Sequence, residues 1–170
     1  MTTTTTVVVE RRVAASPGRV WEAVTDLPDL PRVLSGVQRV EVLTEGGFGV
    51  GTRWRETRRM LGREATEEMT VTACEPPDRY VTIADSHGMH YVSELTLRPE
   101  NPHRSGGTGG AGATGGPGAC VLRMSFSARP AHGRAPGPVG RLLARFGAKA
   151  VAKALAKDLD DIARAVESRY

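Results

Sequence analysis

Cysteine is scarce in this chain. Two residues, Cys74 and Cys120, occur among 170. They can form at most one bridge, so a disulfide scaffold is excluded and a reducing cytoplasm is the expected setting. Long apolar runs are also missing, since nothing approaches the ~18 residues a spanning helix requires. The N-terminus, Met1 followed by five threonines, lacks the charged and apolar regions of a signal peptide. Neither charge sign dominates: 23 basic against 19 acidic residues leave +4. That surplus argues only weakly for an anionic partner and does not suggest nucleic acid. No Ser-His-Asp order and no phosphate loop is visible. What is present is an ordinary globular mixture, with about half the residues apolar once glycine is counted. A chain of this length and composition buries a core and forms one domain.

Seven of the 20 glycines crowd into residues 100–117. Such a segment has little to pack and is costly to order. It is expected to be a flexible surface loop, either a tolerated insertion or a lid over a ligand. Residues 1–6 are expected to be a flexible tail, leaving 7–170 as the single domain.

The rest reads as strands, a short helical break, more strands and one long helix. Val7 to Val13 is rich in β-branched residues and predicts a strand. Ser16-Pro17 starts a helix, the serine as cap and the proline at the first helical position. Val20, Trp21 and Val24 share its apolar face, and Pro28 and Pro31 break it into a short pair ending near Leu34. Val37 to Thr44 is a second strand. Others follow at about 51–59, 64–74, 79–86, 89–98 and 119–128. Residues 138–168 predict a helix, with Val139, Leu143, Phe146, Ala150, Leu155, Leu159, Ile162 and Val166 on an apolar stripe. Alanines and Gly147 punctuate the stripe. They imply either close helix–sheet packing or the wall of a cavity.

Charge alone registers the hairpin at 51–75. A turn at Leu61-Gly62 places Arg59 opposite Glu64, Arg55 opposite Glu68 and Thr57 opposite Thr66, a polar outer face with opposite charges paired. The other face pairs Arg58 with Ala65, Glu56 with Glu67 and Trp54 with Met69, and its apolar members mark it as inner. Glu56 and Glu67 are then like charges directly opposed. A cation such as Arg58 or Arg11 can sit between them, one carboxyl can be protonated, or both can reach water at the rim through Arg58. A raised-pKa carboxyl in a cavity would be a general acid or base. A turn at His87-Gly88 pairs Tyr80 with Leu95, Thr82 with Ser93 and Ala84 with Tyr91. If this face is inner, Tyr80, Thr82, Tyr91 and Ser93 make an interior polar enough to orient a ligand; the opposite phase buries Val81, Ile83 and Val92. Leu122, Met124 and Phe126 alternate with polar residues and are expected inward.

Other constellations are weaker. His87 and His90 flank a turn without a third ligand at fitting spacing, so no metal site is assigned. His103 and His132 are expected in solvent, and Cys74 and Cys120 as small strand residues. Arg141, Arg145, Lys149, Lys153 and Lys157 recur at every fourth position of the last helix. This basic stripe is either a solvated face or a docking surface for a membrane or an acidic carrier protein.

The segments Val13-Ala14-Ala15-Ser16-Pro17-Gly18-Arg19-Val20-Trp21, Asp26-Leu27-Pro28-Asp29-Leu30-Pro31, Val50-Gly51-Thr52-Arg53-Trp54 and Val71-Thr72-Ala73-Cys74-Glu75-Pro76-Pro77-Asp78-Arg79-Tyr80 resemble the SRPBCC (START-like) superfamily. The nearest branch is its polyketide cyclase/dehydrase and lipid-transport group. The resemblance implies an α+β helix-grip fold. A curved antiparallel sheet wraps around a long C-terminal helix, with two short helices after the first strand. It further implies a deep cavity for a hydrophobic or aromatic small molecule. The iron-dependent oxygenase branch is not indicated, since paired Cys-x-His segments are absent. No cofactor is expected, and the protein is expected to be a monomer or homodimer.

Two functions follow, because the fold hosts both. As a cyclase or aromatase, the protein would use Glu56 or Glu67 as acid/base and Arg58 to fix the pair or stabilise an enolate. Tyr91 and Ser93 would orient carbonyls, while Trp54, Met69, Tyr80, Leu122, Met124 and Phe126 would line the cavity. As a carrier it would use the same walls without chemistry, possible partners being an acyl carrier protein or a membrane surface at the basic helix. A third reading is an interaction protein working through that helix, whose affinity would collapse with salt.

Overall fold

The computed structural model describes residues 4–60, 62–86, 88–100, 118–131 and 138–168. The Gly-rich segment from 101 onward, residues 1–3, Leu61, His87, His103 and His132 lie outside the described residues, as do the side chains of residues 138–146. The seven strands are β1 (Thr5–Val13), β2 (Val37–Val42), β3 (Arg53–Met60), β4 (Arg63–Glu75), β5 (Arg79–Ser86), β6 (Met89–Pro99) and β7 (Cys120–Pro130). They form one antiparallel sheet in the order β1-β7-β6-β5-β4-β3-β2. Only the β1–β7 pairing joins strands distant in the chain. It sets the last strand of the chain beside the first, so that β1 and β2 form the two edges of the sheet.

β1 starts two residues earlier than expected. Thr5 and Thr6 pair with Ala128 and Ser127 of β7. A threonine run is a good strand former once a partner strand is available, so Thr5 and Thr6, expected in the tail, belong to β1. Ser16 caps α1 (Pro17–Thr25), its Oγ accepting from Arg19 N at 3.4 Å. A 3-10 turn (Leu27–Asp29) and α2 (Leu30–Val33) follow, with Pro28 and Pro31 near their starts. The expected cross-strand registers are those observed, from Trp54↔Met69 to Arg59↔Glu64 and from Tyr80↔Leu95 to Ala84↔Tyr91. Gly62 and Gly88 take φ of 79° and 78° at the two turns, a region that favours glycine.

α3 (Pro138–Glu167) lies across the inner face. Its C-terminal half is fastened at the β1 end of the sheet. Glu167 Oε1 accepts from Ala14 N at 2.8 Å, Arg19 Nη2 donates to Val166 O at 3.3 Å, and Arg11 pairs with Asp160. Leu159, Ile162, Ala163 and Val166 are buried there in one cluster with Val13, Val20, Leu97, Cys120 and Leu122. Fully burying a Leu or Ile side chain contributes about 1.5–3 kcal/mol. The expected uninterrupted helix is bent at Gly147, where φ is 70° and ψ −179°. The bend separates the first third of α3 from the part packed on the core.

Candidate functional site

A cavity of about 510 Å3 lies between the inner face of β3–β7 and α3, and reaches α1, α2 and the 35–36 turn. That is within the usual range of small-molecule sites, ~300–1000 Å3. The small residues of α3 make the room: Gly147, Ala150 and Ala154 face the cavity with Val151 and Leu155. Of the two readings of the alanine-rich stripe, the cavity wall is the one observed.

The sheet contributes the opposite wall. Trp54, Glu56, Arg58, Glu67 and Met69 come from the inner face of the β3–β4 hairpin, and Tyr80, Thr82, Tyr91, Ser93 and Leu95 from β5 and β6. The second hairpin therefore takes the phase that turns its hydroxyls inward. Val81, Ile83 and Val92 do not line the cavity. Met124 and Phe126 complete the β7 side. Leu122 corrects the sequence reading. It has the expected inward face but is fully buried in the core under the C-terminal half of α3, away from the cavity. Strand alternation fixes the face of a residue and not its position along the strand. Leu122 sits near the start of β7, where the helix packs tightly.

The carboxylate–guanidinium group spans the cavity. Arg58 Nε lies 2.7 Å from Glu56 Oε1, and Arg58 Nη2 donates to Asp158 Oδ2 of α3 at 2.7 Å. Trp54 Nε1 donates to Glu56 Oε2 at 3.2 Å. Arg58 is thus the cation that meets Glu56, whereas Arg11 pairs with Asp160 of α3 instead. Glu67 stands opposite Glu56 in the register and faces the same space. Burial works against the Arg58 charge, but Asp158 and Glu56 outweigh it and raise its pKa. Burial dominates at Asp158, whose carboxyl is held above the usual range despite Arg58.

Asp158 is the site residue that sequence reasoning missed. A signal existed. It stands three residues after Leu155 and four before Ile162, on the buried stripe, where a charged side chain requires a partner. Asp161, one turn further, is also buried. It accepts from Ser35 N at 3.0 Å and Ser35 Oγ at 2.6 Å, and pairs with Lys157 and Arg164 at 3.2 Å each. Lys157 also bonds Ser35 Oγ. Burial alone would raise the Asp161 pKa, but the Ser35 and Lys157 hydrogen bonds prevail and lower it. Lys157 therefore belongs to the rim of the cavity and not to a free basic stripe. Lys149 and Lys153 are exposed, and the Arg141 and Arg145 side chains are outside the described residues.

Two tyrosines differ in setting. Tyr80 packs edge-on against Trp21 and Phe48, with centroids at 5.8 and 5.1 Å, and Phe48 reaches Trp54 at 6.3 Å. These contacts stiffen one end of the wall, each aromatic pair adding about 0.5–1.5 kcal/mol. Phe48, carried on the loop before β3, was not singled out in the sequence. Tyr91 is 3% exposed and stacks on Phe126 at 5.7 Å. Its hydroxyl is buried without a hydrogen-bond partner. Burial, then the Glu67 charge, push that hydroxyl well above its ordinary pKa, so it stays protonated.

The remaining candidates lie elsewhere. His90 Nδ1 meets Asp85 Oδ1 at 2.7 Å. Among the described residues no three His, Cys, Asp or Glu side chains gather as a metal site would need. Both cysteines are free. Cys120 is fully buried, which raises its thiol to about 11, and burial also raises Cys74. No helix among the described residues is long and apolar enough to cross a membrane.

Solved structures share this arrangement. A norcoclaurine synthase from Thalictrum flavum, in complex with dopamine and hydroxybenzaldehyde, superposes with a TM-score of 0.65 at 18% identity, over 99% of this chain and 90% of that one. A Thermus thermophilus protein matches with a TM-score of 0.67 at 18% identity, over 96% and 98% of the two chains. Ara h 8.0201 matches with a TM-score of 0.61 at 17% identity, over 98% and 100%. At these identities the likeness is one of fold. No protein of curated function matches the sequence. The family model for polyketide cyclase / dehydrase and lipid transport matches residues 4–167, nearly the whole chain. With that match over a helix-grip fold, the chain belongs to the polyketide cyclase / dehydrase and lipid transport family.

Proposed function

We propose that the protein binds a hydrophobic or aromatic, polyketide-like molecule in the cavity and assists its cyclisation and dehydration by acid–base catalysis. One observation carries this reading. A cavity of about 510 Å3 joins apolar walls, Trp54, Met69, Met124 and Phe126, to a short polar set, Glu56, Arg58, Glu67, Tyr91 and Ser93. Ring closure with loss of water needs a base to take a proton beside a carbonyl and an acid to protonate the departing hydroxyl. Glu56 or Glu67 would exchange those protons. Arg58 would stabilise enolate charge, as a fixed donor does best in a site shielded from water. Tyr91 and Ser93 would orient the carbonyls. The exposed Lys149 and Lys153 would be the part of α3 available to an acyl carrier protein or an anionic membrane surface.

A second reading, a carrier without chemistry, draws on a separate observation. Both oxygens of Glu56 are occupied, by Arg58 and by Trp54, which suits a structural carboxylate. Mass spectrometry of what the protein retains from a cell extract, before and after incubation, separates the two. A retained compound that leaves lighter by one water supports catalysis. An unchanged mass supports the carrier. If the Glu56→Gln/Glu67→Gln double variant keeps full turnover, the role given to that pair is wrong.

A further inference from the structure

Two polar atoms of the cavity-lining residues take no hydrogen bond from the described residues, and one of them, the Tyr91 hydroxyl, is fully buried. Tyr91 Oη is buried, protonated and unbonded. A desolvated hydroxyl without an acceptor is costly, and such a group in a native cavity calls for an explanation. Asp158 is 6% exposed, and only its Oδ2 is engaged, by Arg58. Oδ1 takes no hydrogen bond from the described residues. It lies beside Gly36, where a Cβ would meet it at an ordinary contact distance of 3.9 Å, and both residues line the cavity. Both residues line the same cavity, Tyr91 from β6 and Asp158 from α3. One can only donate in its protonated state; the other, while ionised and held by Arg58, can only accept.

We propose that the cavity selects a flat apolar molecule bearing two separate polar groups, an acceptor such as a carbonyl for Tyr91 Oη and an N–H or O–H donor for Asp158 Oδ1. The inference rests on the reading of the cavity as a ligand site. It deepens that reading by giving the ligand a polarity order and by assigning recognition to Asp158. The Tyr91–Phe126 stack suits a flat ring beside the acceptor. Arg58 orients Asp158 by holding Oδ2, which leaves Oδ1 to accept from the ligand. In Asp158→Asn the amide oxygen would turn to Arg58, leaving the amide N–H2 where Oδ1 stood, a donor facing a donor.

Three probes of one shape test this: 2-ethylnaphthalene, 2-acetylnaphthalene and 6-amino-2-acetylnaphthalene. They carry no polar group, an acceptor, and an acceptor with a donor. Binding is read by quenching of the tryptophan fluorescence, from Trp21 and Trp54 together, and by the emission of the amino probe. Each added group is expected to tighten binding to the wild type roughly tenfold. Tyr91→Phe is expected to erase the acetyl step while leaving ethylnaphthalene affinity unchanged. Asp158→Asn is expected to erase or reverse the amino step alone. If all three probes bind the wild type equally, the polarity order is refuted while the ligand cavity stands. If none binds, the ligand-site reading itself fails and takes this inference with it. Should Asp158→Asn not fold, the probe series on the wild type and Tyr91→Phe still decides the matter.

Discussion

The two faces of the β3–β4 hairpin use the same residue types to opposite ends. Outside, Arg53 and Arg55 meet Glu68 and Glu41, with these side chains 38–55% exposed. Inside, on the opposite face of the same strand, Arg58 meets Glu56 and Asp158 at 24%, 14% and 8% exposure. The outer pairs lie in water and are screened, so each can be lost cheaply. The inner group is desolvated, so its members depend on one another. The outer face keeps the register. The inner face places charge in the cavity and ties α3 to the sheet. Identical chemistry therefore serves solubility on one face and site construction on the other.

The sharpest way to break this comparison is Arg58→Ala. It leaves Glu56 and Asp158 facing each other in the interior and is expected to cost about 3–5 kcal/mol in denaturant unfolding. A loss no larger than that of an outer-face arginine would erase the distinction between the faces.

The next effect separates two aspartates on one helix. Asp161→Asn is expected to cost about 1.5–3 kcal/mol at neutral pH, since it weakens charged hydrogen bonds to Ser35. The Asp161 pKa is lowered in the folded state. Its contribution is therefore present above the ordinary carboxylate value and lost as pH falls through the folded value. The gap between wild type and Asp161→Asn should close in acid. Asp158 has the opposite sign. Its pKa is raised, so its contribution favours the fold in acid and is lost as pH rises from the ordinary value through the raised one. Wild-type stability relative to Asp158→Asn should fall over that rise. Thermal melts across pH check both directions.

Tyr91→Phe removes a buried hydroxyl that has no partner. It is expected to leave stability unchanged or raise it by up to ~1 kcal/mol, unlike the loss usual for a buried polar residue. A clear loss in calorimetry would mean that the hydroxyl is satisfied within the protein. The smallest effect is that of Arg53→Ala on the outer face, where no measurable change in the unfolding midpoint is expected.

Local pairing was legible in the sequence. Alternating charge and a turn glycine fix the β3–β4 register, and the same reasoning gives β5–β6. Which face was inner followed from Trp54 and Met69. Contacts that cross the fold were harder to read. Arg58 and Asp158 are 100 positions apart, and no local pattern couples them. Gly147 read as one more small residue on a helix face, because a positive φ leaves no mark in sequence beyond glycine itself. Leu122 shows the limit of alternation, which cannot place a residue along a strand. Phe48 was hidden among loop glycines, although its ring packs on Trp21, Trp54 and Tyr80.

The most direct test is to fill the cavity and ask whether binding goes with it. Ala154 faces the cavity from α3, and Ala154→Phe places a ring in that space. Titration of 2-ethylnaphthalene against the fluorescence of Trp21 and Trp54 should show saturable binding to the wild type. The folded variant should show none, with its melting temperature close to that of the wild type. Equal binding by both proteins, or no binding by the wild type, would contradict a ligand site between the sheet and α3.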